Sequence, residues 1–107
     1  MADNGFVVQM KDGRQCPTMV CELCGESITD YRMAGAVWDE RGEFENWTFR
    51  RVTVLCKENG CLSKPPYKGL PWQEMRDYLL WLAYNSGLKT EAQVREAWKE
   101  AEIMSNI

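Results

Sequence analysis

There is no histidine anywhere in these 107 residues. That absence excludes a Ser–His–Asp set, a side-chain base with an ordinary pKa near neutrality, and any imidazole ligand for a metal. Long apolar runs are also missing. The longest, Tyr78 to Tyr84, is far short of the roughly 20 residues that cross a bilayer. Near the N-terminus the apolar run Phe6–Val8 lies between Asp3 and Gln9, so no secretory leader is expected. Positive charge is scarce: 13 Lys and Arg stand against 16 Asp and Glu, a net charge of −3. No basic field draws phosphates to the chain. No glycine loop of the phosphate-binding kind occurs, and no two carboxylates are set as an acid–base pair. An enzyme is therefore not expected, nor a small-molecule substrate, nor a membrane partner.

What remains is a globular composition, 45% hydrophobic and 27% charged. The length suits one domain that can bury a core but would gain from a staple. A cytoplasmic location is expected. There cysteines stay reduced, which favours metal binding over disulfides.

The five cysteines are Cys16, Cys21, Cys24, Cys56 and Cys61. With no histidine, a four-ligand nitrogen–sulfur site must be all cysteine. Cys21 and Cys24 form one close pair, followed by Gly25. Cys56 and Cys61 form the other, around Asn59-Gly60. Gly25 and the Asn-Gly dipeptide can take positive φ, which lets each segment turn tightly and frees backbone N–H groups to bond thiolates. Two such pairs suit tetrahedral Zn²⁺. Cys16 precedes Cys21 with the same spacing as Cys56 and Cys61, so it competes with Cys24 for a place. The Cys-x-x-Cys-Gly turn is the better knuckle, and Cys16 is read as an ordinary thiol.

Between the pairs, 31–38 reads as a strand, 39–46 as a polar turn and 47–56 as a second strand. Ahead of them, 6–10 and 17–21 read as a hairpin around a turn at 11–14. This order of cysteine turn, hairpin and cysteine turn resembles the zinc-ribbon family over residues 18–62. The second pair departs from that pattern, with four residues between its cysteines where ribbons usually have two or three. The resemblance implies a small antiparallel sheet stapled by a structural zinc on Cys21, Cys24, Cys56 and Cys61. Four thiolates fill the tetrahedron and leave no open position for substrate. Iron, as in rubredoxin-like sites, is the alternative metal.

The proline-rich stretch 62–71 reads as a linker. After it a helix is expected from Pro71 to a C-cap at Gly87, with Trp72, Met75, Leu79 and Leu82 on one face and Leu80, Trp81 and Tyr84 off it. A surface helix should not be apolar on nearly every side. A second helix is expected over 90–104, opened by a capping box of Thr90 and Gln93. The join is similar to a helix-turn-helix in Ala83 and Gly87, but Val94 falls one residue out of register. Residues 73–107 carry four basic and six acidic side chains, little to read DNA with. A plain helical hairpin is expected.

The reading is thus an α+β fold. A zinc-ribbon-like sheet of three to four antiparallel strands spans 1–62, a linker 63–71, and a two-helix segment 72–107 packs on the sheet as its cover. Most of the five tryptophans are expected in the core, with Trp81 exposed. Function is expected to be protein interaction, docking on a partner or self-associating through Leu80, Trp81 and Tyr84. The alternative is nucleic-acid binding through Arg50, Arg51, Lys57, Lys64 and Lys68.

Overall fold

The computed structural model describes residues 4–38 and 51–104. The chain is α+β, and its strands form two three-stranded antiparallel sheets rather than one. The first sheet begins with β1 (Gly5–Lys11) and β2 (Arg14–Val20), paired from Gly5 opposite Val20 to Lys11 opposite Arg14. Asp12 and Gly13 make the two-residue turn with φ of 51° and 77°, the left-handed backbone region whose turn twist matches the right-handed twist of the flanking strands. A short β3 (Ser27–Ile28) pairs on the far side of β2.

Residues 31–33 were expected to open the next strand. They instead form a 3₁₀ turn, Tyr31–Met33. Asp30 explains the difference, because its carboxylate accepts from the Arg32 backbone N–H at 2.9 Å and pairs with the Arg32 guanidinium at 3.0 Å. Such a local cap offers the backbone an alternative to a ladder.

The second sheet has β4 (Ala34–Trp38) at its centre, with β5 (Val52–Cys56) on one side and β6 (Trp72–Glu74) on the other. The whole of the expected turn, 39–46, and the first part of the second expected strand, 47–50, lie outside the described residues. β6 corrects the sequence reading. Trp72–Glu74 was expected to be the first helical turn, but it pairs with Gly35–Val37. An otherwise unpaired edge of β4 supplies hydrogen bonds that outweigh local helix propensity. Gly35 makes the approach close: a Cβ there would lie 3.0 Å from Leu62 and 3.1 Å from the Trp72 ring.

The core gathers at this second sheet. Ala34, Ala36, Val37, Val54, Leu55, Cys56, Cys21, Cys61 and Met75 are all buried. Consecutive buried positions along β4 follow from its central place, covered on both faces.

Two helices end the chain, α1 (Met75–Asn85) and α2 (Glu91–Met104). α1 closes as foreseen at Gly87, with φ of 105°. Leu88 N–H bonds the Ala83 carbonyl at 2.9 Å and Gly87 N–H that of Tyr84 at 3.2 Å, the Schellman pattern. α2 opens on its capping box: Gln93 N–H donates to Thr90 Oγ1 at 3.1 Å, and Thr90 N–H donates to Gln93 Oε1 at 3.0 Å.

α1 meets the core only through its start. Met75 is fully buried, and Tyr78 packs against the core and stacks on Phe6 at 6.2 Å. Leu79 and Leu82, expected on the covered face, are exposed, and so are Val94, Trp98 and Ile103 of α2. The tryptophans correct the expectation of a Trp-rich core. Trp72, Trp81 and Trp98 are exposed and Trp38 is half-buried, while Trp47 lies outside the described residues.

Candidate metal centre

The cysteine turns bring Cys21, Cys24, Cys56 and Cys61 together, with all four sulfurs within 4.8 Å of one another. Cys21 ends the run from β2, and its N–H bonds the Glu26 carbonyl at 2.9 Å. Gly25, at φ 79°, returns its N–H to the Cys21 carbonyl at 3.0 Å. This tight loop aims Cys21 and Cys24 the same way. Cys56 ends β5, and Gly60 at φ 68° turns the chain back to Cys61. The first turn is tied to β5 twice: Glu22 N–H donates to the Val54 carbonyl, and the Glu22 carboxylate accepts from Val54 N–H, both at 2.8 Å.

The sulfurs of Cys24 and Cys56 lie 3.6 Å apart, as do those of Cys56 and Cys61. A tetrahedral metal–thiolate site with bonds of about 2.3 Å has sulfur–sulfur edges of about 3.8 Å, so the donor set fits such an ion. Hydrogen bonds to sulfur are present: Cys56 N–H points at Cys21 Sγ at 3.3 Å, and Asn59 Nδ2 at Cys24 Sγ at 3.4 Å. The Asn59 side chain was missed by the sequence reading, which used Asn59 only as a turn former. An amide next to a turn glycine between two cysteines was the signal.

The four thiols are not alike. Cys21, Cys56 and Cys61 are buried and Cys24 is exposed. The hydrogen bond from Asn59 pulls the Cys24 thiol down to about 6, despite an opposing desolvation. Burial pushes Cys56 and Cys61 up. Buried thiols resist ionising alone, so a cation that pays this cost stabilises the fold that holds them. Cys16 sits half-buried in β2 opposite Gln9 and is not part of the cluster.

The other sequence candidates are dispersed. Leu80, Trp81 and Tyr84 are exposed on α1, with Trp81 edge-on to Tyr84 at 5.5 Å. Arg50 lies outside the described residues, and Arg51, Lys64 and Lys68 are exposed. Lys57 is engaged, paired with Glu74 and set 5.7 Å from the Trp72 ring. Lys57, Lys68 and Trp72 line one cleft of about 450 Å³. A larger apolar groove of about 680 Å³ runs between the first sheet and α1, past Phe6, Val8, Met19, Tyr31 and Leu79. Among the described residues no helix is long and apolar enough to cross a membrane.

The chain matches no protein-family model, no curated protein and no solved structure. What the site can do therefore rests on its own geometry.

Proposed function

We propose that this chain is a zinc-ribbon-like module in which Cys21, Cys24, Cys56 and Cys61 hold one structural Zn²⁺, and that it serves as a non-catalytic docking unit for a protein partner. One observation carries the reading: four sulfurs from two distant turns lie within 4.8 Å of one another. Soft thiolates in a compact tetrahedral set suit zinc, and four of them leave no position for substrate. The ion would join the β2–β3 turn to the end of β5, and so the two sheets to each other. A cytoplasmic setting, where thiols stay reduced, agrees with this chemistry. Docking is supported by the exposed apolar side chains of α1 and α2.

Elemental analysis of protein purified without added metal tests the metal reading. About one zinc per chain is the expected result. Iron would move the reading to electron transfer, and a metal-free folded protein would overturn it.

A second reading is favoured by the Lys57–Lys68–Trp72 cleft, since a cationic groove with an aromatic wall suits a single-stranded nucleic acid. The Glu74 partner of Lys57 weakens that groove. Binding of a short oligonucleotide that falls with salt and is lost in Trp72→Ala would support it; no binding would end it.

A further inference from the structure

We propose that the exposed apolar side chains of α1 and α2 form the interface of a homodimer, in which the two helices are covered by α1 and α2 of a second copy of this chain. The proposal rests on the docking reading above and names its partner. Leu80, Trp81, Leu82 and Tyr84 of α1 and Trp98 and Ile103 of α2 are each between 45% and 73% exposed. At roughly 200 Å² for a large side chain, they leave about 700 Å² of apolar surface uncovered per chain. Each partner in a standard stable interface contributes about 800 Å². Two copies therefore suffice to cover one another.

The distribution of these residues says what shape must cover them. At about 100° per residue, Leu80 and Tyr84 share one side of α1, Trp81 lies next to them, and Leu82 lies on the far side. A flat partner surface reaches one side only. Two helices flanking α1 reach both. This chain offers such a pair, because no described side chain of α2 is buried and its Val94 and Trp98 are exposed. The α1 and α2 of a second copy can lie along the α1 and α2 of the first, helix on helix as in a bundle. A two-fold contact of this kind closes at two copies. The surface is also partly set before contact: Trp81 and Tyr84 meet edge-on at 5.5 Å, and Lys89 lies 5.4 Å from the Tyr84 ring. Side chains already held lose less freedom on association.

Sedimentation equilibrium of the metal-loaded full chain at micromolar concentration tests the proposal. The wild type is expected at twice the 12.4 kDa chain mass. Leu80→Glu/Trp81→Glu and, separately, Trp98→Glu are expected at the single-chain mass with metal content and far-UV circular dichroism unchanged. Using both helices guards against one variant failing to fold. Gln15→Glu, on exposed β2, should stay dimeric. A monomeric wild type overturns the proposal, and so do variants that stay dimeric. The docking reading is judged separately. If a monomeric wild type gains hydrogen-exchange protection at α1 and α2 when cell extract is added, the second copy fails and docking on another protein stands. No protection ends both.

Discussion

The sheet that carries the cysteine cluster and the two C-terminal helices divide the chemistry of this small protein between them. Around β4 and β5 the side chains are small or branched, Ala34, Ala36, Val37, Val54 and Leu55, and they are buried. In α1 and α2 the side chains are large, and most of the apolar ones stand in solvent. The contrast teaches that burial here follows connectivity more than hydrophobicity. Two turns bring four sulfurs together beside these small side chains. The C-terminal helices have larger apolar side chains, but α1 meets the core at Met75 and Tyr78.

The largest effect should come from breaking the staple. Cys21→Ser or Cys61→Ser removes a buried ligand. Apparent zinc-binding free energies of about 10–16 kcal/mol exceed or match the whole stability of most domains, so both variants should lose metal and unfold. Loss of near-UV circular dichroism together with zinc content checks this. Cys24→Ser, at the exposed corner, should weaken metal retention with less damage to the core, and Cys16→Ser should change stability by less than about 0.5 kcal/mol. Metal lost in Cys16→Ser and kept in Cys24→Ser would show that the ligand set is wrong.

Next in size is the tie between the two regions at Met75 and Tyr78. Met75→Ala empties a fully buried site and should cost about 2–5 kcal/mol in urea unfolding. Gly35→Ala acts on the same seam by crowding Leu62 and Trp72, at about 1–3 kcal/mol. Little or no loss in Gly35→Ala would mean that β6 sits less tightly on β4 than its register indicates.

The variants in α1 sharpen the contrast from the other side. Leu80→Glu/Trp81→Glu alters exposed positions, so the unfolding free energy of the separated chain should move by less than about 0.5 kcal/mol while the assembly state changes. The smallest effect belongs to Asp30, whose carboxyl is held below its ordinary value first by the Arg32 side-chain hydrogen bond and then by the Arg32 backbone. A lowered folded-state pKa gives stability that is present above the ordinary carboxylate range and is lost as pH falls through the lowered value. Asp30→Asn should therefore remove that small contribution at neutral pH, leave stability at the acid end nearly unchanged, and so flatten a small part of the acid dependence. An unaltered acid limb in a pH titration of unfolding would contradict that role.

Much of this was legible residue by residue. The spacing of Cys21, Cys24, Cys56 and Cys61 selected the four sulfurs that meet, because ligand pairs on glycine turns are a local pattern. The Asp12-Gly13 hairpin, the Gly87 cap and the Thr90–Gln93 box were readable for the same reason: each is decided within six residues. Trp72–Glu74 was not. Its own sequence favours a helix start after Pro71, and only an open edge on β4 makes it a strand. The exposure of the tryptophans was not legible either, since a large apolar side chain looks the same in a core and on an interface.

The sequence by itself thus determined the donor chemistry, with no histidine available, and the caps that stop α1 and start α2. These are properties of residue type and short spacing. Tertiary structure decided that the strands divide into two sheets and that β6 completes the second. It also left Cys24 as the exposed ligand and α2 with no buried described side chain. Those outcomes depend on which surfaces compete for one another across the chain, and such competition is settled by the geometry of the whole fold rather than by any one segment of it.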